Sequence, residues 1–120
     1  DLIKYQSSKA KKLLIYFNDA FNDGLSEVKD ELAIGHAINM HHIFPENEFE
    51  EISGYVENLI ALTPSQHFQK AHPDGNTRII DKGFQQICLL TKADHIEENI
   101  KHGKEVIYSF DMEYIVSGIQ

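Results

Sequence analysis

The strongest constraint in this chain lies over residues 59–66, where four apolar residues run into Thr63-Pro64-Ser65-Gln66. Thr63 is a preferred helix N-cap and Pro64 suits the first helical position. Gln66 stands three residues after the cap, where its side chain can return a hydrogen bond to the cap backbone. The pattern predicts a short strand over Leu59, Ile60, Ala61 and Leu62 that feeds directly into a helix over 64–71. A residue before proline avoids the helical region, so His72, which precedes Pro73, is expected at or past the helix end. Asp74-Gly75 then marks a turn.

The segments around this unit complete the outline. From Ala33 to Pro45 the chain reads AIGHAINMHHIFP, extended and partly buried, with Pro45 as its stop. The acidic stretch from Glu46 to Glu57 reads as a loop. Upstream, Ala10, Leu13, Leu14, Phe17, Ala20 and Phe21 recur at helical spacing between Tyr5 and Asn22, and Asn22-Asp23-Gly24 breaks that helix. Downstream, a second long helix is predicted from Asp81 to Lys101, with Phe84, Ile87, Cys88, Thr91 and His95 on one face. In the tail, Ser109 reads as the cap of a short helix ending at Gly118, with two turns of strand as the alternative. The expected fold class is α+β: two short strands and a helix, flanked by longer helices.

Composition narrows the functional classes. A length of 120 residues supports one domain, and 42% apolar residues sustain one modest core. No apolar run approaches the roughly 18 to 20 residues that span a bilayer, and the N-terminus carries no secretory apolar region. The single cysteine, Cys88, excludes a disulfide framework and a cysteine-based zinc ribbon. It reads as a small buried apolar group, and a reducing bacterial cytoplasm fits it. The absence of an initiator Met fits a piece of a longer protein. A net charge of −8 argues against an indiscriminate nucleic-acid sleeve, whose affinity comes from basic residues meeting phosphates. Lys9, Lys11 and Lys12 form the one basic cluster, either a solvated helix face or a phosphate-facing patch. Glu46, Glu48, Glu50, Glu51 and Glu57 crowd one loop, read as solvation or as a restraint on activity.

Seven histidines are many for this length, and four of them accompany the strand–helix unit: His41, His42, His67 and His72. Imidazole is a common ligand for zinc, nickel and related ions. Neighbouring strand residues point to opposite sides, so one of His41 and His42 can ligate while the other stays free as a base.

The run His41-His42-Ile43-x-Pro45, then Asn58-Leu59, then His67 nine residues after the Asn, resembles the HNH, or ββα-metal, nuclease motif. The resemblance covers about residues 37–72, roughly a third of the chain, within a single domain over 1–120. Flanking segments are similar to bacterial restriction endonucleases that carry such domains. The resemblance implies a metal-dependent endonuclease that hydrolyses DNA phosphodiesters in a restriction or defence system. It implies His41 and His67 as metal ligands, with His72 as a candidate third. It also implies His42 as general base and Asn58 as the residue that holds the loop and helps position that base. The ion would be one divalent metal: Mg²⁺, Mn²⁺, Ni²⁺ or Zn²⁺. Lys70, Arg78 and Lys82 would meet DNA phosphates, and a second copy or a recognition domain outside this chain would supply further grip. The competing reading is a non-catalytic or degenerate module of this kind that binds metal and serves DNA or protein interaction. Another type of metal hydrolase would want a carboxylate base near its ligands, as on an HExxH helix, and no such helix is present.

Overall fold

The first helix, α1 (Leu2–Asn22), begins where Asp1 offers its carboxylate to the Ile3 amide at 3.0 Å. The cap therefore starts it three residues before Tyr5, the start expected from the apolar spacing. Ser7, Ala10, Leu14 and Asn18 form its buried side, while Leu13 and Phe21 stay partly exposed. Asp23 and Gly24 end it with φ of 55° and 70°, the left-handed turn that the Asn-Asp-Gly run predicts. The structure, a computed structural model, describes residues 1–101. The helix expected between Ser109 and Gly118 lies outside the described residues.

Strands β1 (Asn39–His42) and β2 (Leu59–Leu62) pair antiparallel, with Met40 opposite Ala61 and His41 opposite Ile60. β2 occupies the expected four residues. β1 is much shorter than the extended run from Ala33 to Pro45, because Ile34 and Ile38 find no partner and remain 83% and 69% exposed. β2 is buried throughout and alternates its contents. Leu59 and Ala61 join Ala10, Leu14 and Met40 on the α1 side. Ile60 and Leu62 join Ile43, Phe44, Phe84 and Cys88 on the other. The sheet is thus a thin middle layer with a core on each face.

The capping box forms as the sequence requires. Thr63 Oγ1 accepts from the Gln66 amide at 3.2 Å, and Gln66 Oε1 accepts from the Thr63 amide at 3.0 Å. Gln66 also donates to the Val28 carbonyl and to Asp30, which pins the loop after α1 to the start of α2 (Pro64–Gln66). A wider turn over His67–Ala71 continues α2. Asp74 and Gly75 then turn the chain with φ of 57° and 72°.

The last described helix, α3 (Lys82–Lys101), buries Phe84, Cys88, Leu89, Lys92, Ile96 and Asn99. The face differs from the one predicted, since Ile87 is 49% exposed and a lysine lies in the middle of the buried stripe. Glu27 explains that lysine. Its carboxylate accepts from Lys92 Nζ at 2.7 Å, from His95 Nδ1 at 2.9 Å and, through its other oxygen, from the Ala61 amide at 2.7 Å. The Glu27 amide in turn donates to the Ala61 carbonyl at 2.9 Å. Burial by itself would raise the Glu27 pKa, but Lys92 and the hydrogen bonds outweigh it and hold the group at about 2. Cys88 is fully buried, and burial pushes its thiol up to about 12, so it is an inert apolar group. The architecture is α+β, with three α-helices and a two-stranded antiparallel sheet among the described residues. None of these helices is long and apolar enough to cross a membrane.

Candidate metal centre

His41 and His42 are adjacent on a strand, so they leave β1 on opposite faces. His42 turns to the α1 side, where Ser7 meets it. His41 turns to the other face, where the segment after β2 carries His67 and His72. Five residues on a regular α-helix turn about 140° past one full turn, so those two side chains would diverge. The wider turn prevents this. The His72 amide donates to the His67 carbonyl at 3.1 Å, a five-residue bond in place of the usual four. One such π-turn brings the two side chains back into line. His72 itself is extended, with φ −126° and ψ 90°, and Pro73 stops the helix there.

Three imidazoles therefore converge. Ring centroids are separated by 5.2 Å for His41 and His67, 5.1 Å for His41 and His72, and 4.7 Å for His67 and His72. One nitrogen from each lies within 4.8 Å of the other two, an arrangement able to hold a metal ion. Burial, followed by the charges of His67, His72, His42 and Lys11, depresses His41 to about 3. His67 is also lowered, chiefly by burial. Both rings are thus neutral at working pH, the state a ligand needs. His72 Nδ1 donates to the Ile79 carbonyl at 3.2 Å, which leaves its Nε2 lone pair for an ion. An all-imidazole set suits borderline ions such as zinc or nickel.

His42 is not part of this cluster but lines the same cleft as His41 and His72. Its Nε2 lies 2.9 Å from the Ser53 carbonyl and 3.1 Å from Ser7 Oγ. A carbonyl only accepts, so Nε2 carries the proton and Nδ1 is left as a lone pair. Among the described residues Nδ1 has no hydrogen-bond partner. Burial lowers the His42 pKa, against the opposing effects of the Ser53 hydrogen bond and the Glu46 charge. A cleft of about 180 Å³ runs along the site, lined by His41, His42, His72, Glu46, Thr77 and Ile80 among others. Glu46, expected on a solvated loop, places Oε1 buried in this region with no hydrogen-bond partner. Glu57, from the same run, is wholly buried.

Asn58 is fully buried and does not line the cleft. Its Oδ1 accepts from the Phe44 amide at 2.9 Å, and its Nδ2 donates to the carbonyls of Phe44 at 3.1 Å and Ile52 at 3.4 Å. It ties the chain leaving β1 to the loop that carries Ser53, and so acts on His42 only through the backbone. Of the cations expected to meet phosphate, Lys70 is engaged by Asp30 at 3.0 Å and by Glu31. Arg78 and Lys82 are exposed. Lys11 is nearer the chemistry. It lies one helical turn beyond Ser7, half-buried where Lys9 and Lys12 are exposed, and its charge depresses His41, His42 and His67. Helical periodicity could have singled it out, had the site-facing side of α1 been known. No local pattern marks Ser53, and Glu46 stands out only as one of the carboxylates that crowd its loop.

Compared with known proteins, the chain matches no family model, no curated protein and no solved structure.

Proposed function

We propose that this chain is a metal-dependent endonuclease domain of the HNH kind, cutting DNA phosphodiesters by hydrolysis. The observation that carries the reading is His42. A structural metal site has no use for an imidazole fixed by its Nε2 proton, its Nδ1 lone pair unengaged, on the wall of the cleft that the metal-site histidines also line. The same cleft is bordered by His41 and His72, so a base and a cation-binding cluster share one opening.

The residues divide the work as follows. A water in the cleft gives its proton to His42 Nδ1 as its oxygen bonds to phosphorus. The Ser53 carbonyl holds the opposite side of the ring and stabilises the imidazolium that forms. The phosphorus–oxygen bond to the departing sugar breaks in line. His41, His67 and His72 would hold a divalent ion, which when bound would supply Lewis-acid stabilisation of the charge that develops. Lys11 offers a second positive charge on the α1 side, suited to a non-bridging phosphate oxygen. Asn58 keeps the His42 loop in register. With Lys70 committed to Asp30 and Glu31 and a net charge of −8, firm DNA binding calls for a second copy or a separate recognition domain.

Plasmid cleavage in Mg²⁺, Mn²⁺, Ni²⁺ or Zn²⁺ tests this. The wild type is expected to nick supercoiled DNA with at least one ion, and His42→Ala to lose about 10²- to 10⁴-fold in rate while binding metal normally. A wild type that binds metal yet cuts with none of the four, at high protein concentration, would reject the nuclease reading.

A further inference from the structure

A neutral imidazole carries one proton on one of two nitrogens, and an ion can take only the bare one. Each ligand histidine therefore needs an acceptor for its outer proton. His72 has the Ile79 carbonyl. For His67, Nδ1 lies 3.4 Å from Asn39 Nδ2, a contact that sets Nε2 apart as the nitrogen for an ion. Asn39 and His41 are two apart on β1, so they share the face on which the cluster sits.

The Asn39 amide is poorly satisfied in that orientation. Its Nδ2 contact is longer than a good hydrogen bond, and its Oδ1 is buried with no partner at all. An ion on His67 Nε2 changes the demand. The ring proton must then sit on Nδ1, where it would confront the Nδ2 protons of Asn39. Half a turn of the amide about χ2 removes the clash and presents Oδ1 to the Nδ1 proton.

We propose that Asn39 is a positioning residue of the metal centre, its Oδ1 accepting the Nδ1 proton of His67 and so committing the His67 Nε2 lone pair to the ion. Metal binding and the orientation of this amide are one linked event. The inference rests on the metal-centre part of the functional reading and is independent of whether the domain cuts DNA.

Zinc is the probe. Zinc affinity is measured by competition with a chromophoric chelator for the wild type, Asn39→Leu and Asn39→Asp. Long-range ¹⁵N–¹H NMR of the zinc-loaded wild type reports which nitrogen of His67 is protonated. Asn39→Leu is expected to bind zinc about 10- to 100-fold more weakly. Asn39→Asp, whose carboxylate accepts the same proton more strongly, is expected to match or exceed the wild type. The NMR spectrum is expected to show His67 protonated on Nδ1 and bound through Nε2. Equal affinity in Asn39→Leu, or zinc found on His67 Nδ1, overturns the assignment, and the NMR result decides it even if a variant fails to fold. A wild type that binds no zinc overturns the metal centre itself, an outcome separate from either.

Discussion

Single residues set the electrostatic tone of the centre, and Lys11 is the one whose role carries an unusual sign. Its ammonium lies near enough to His41, His42 and His67 to disfavour their protonated forms, and it must equally disfavour a metal ion there. An anion between the two charges resolves the conflict. Lys11→Gln is therefore expected to tighten zinc binding several-fold, about 0.5–1 kcal/mol for a partly exposed charge, while weakening capture of a short DNA duplex. Chelator competition and fluorescence anisotropy check the two halves. A loss of both affinities would mark Lys11 as a structural residue. At this scale His41 and His67, which the structure brings together, were legible because their type and spacing belong to one sequence pattern, and His72 stood beside them as a candidate. Ser7, Asn39 and Ser53 were not, and Glu46 stood out only as one of a crowd of loop carboxylates. Their side chains matter only through neighbours brought up by tertiary packing.

At the scale of elements, local chemistry was the better guide. The Thr63–Gln66 capping box and the four apolar residues before it placed β2 and α2, since each signal is satisfied within a few residues. Where a segment depended on distant partners, the outline failed. β1 kept only the residues that β2 could pair, and the buried stripe of α3 admitted Lys92 because Glu27 waited for it. The π-turn at His67–Ala71 was hidden for a different reason. It has no composition of its own, being an α-helix with one residue too many. That description is testable. Deleting the exposed Gln69 should restore the ordinary four-residue bond, leave both histidines on one face and preserve zinc binding. Inserting an alanine after Gln69 should separate them and cost at least tenfold in affinity. Chelator competition reads both, and an unimpaired insertion variant would refute the account.

For the molecule as a whole, two sites tie stability to solution conditions. An ion that binds only the folded chain adds about 2.7 kcal/mol at a hundred times its Kd, so zinc should raise Tm by several degrees. His67→Ala should abolish the rise, as followed by circular dichroism. Protons act in the opposite direction. His41 titrates at about 3 when folded against an ordinary 6.5, so the unfolded chain binds the extra proton. Its contribution is complete above pH 6.5 and is lost as pH falls towards 3. Glu27, at about 2 against 4.5, likewise contributes above pH 4.5 and loses that contribution as pH falls towards 2. Tm should thus begin to fall below pH 6.5 and fall more steeply below pH 4.5. Glu27→Gln should cost about 3–5 kcal/mol at neutral pH, because Lys92 stays buried with its main partner gone, and its Tm should fall less steeply below pH 4.5.

Glu27 has one more effect, which concerns neighbours rather than the fold. β2 reads Leu-Ile-Ala-Leu, and one side of its backbone faces away from β1. A bare apolar row of that sort invites a strand from another molecule and, after it, a growing stack. Here both free groups of Ala61 are taken by Glu27, its amide on the carbonyl and its carboxylate on the N–H. The residue that neutralises Lys92 is also the plug that keeps this sheet from propagating between chains.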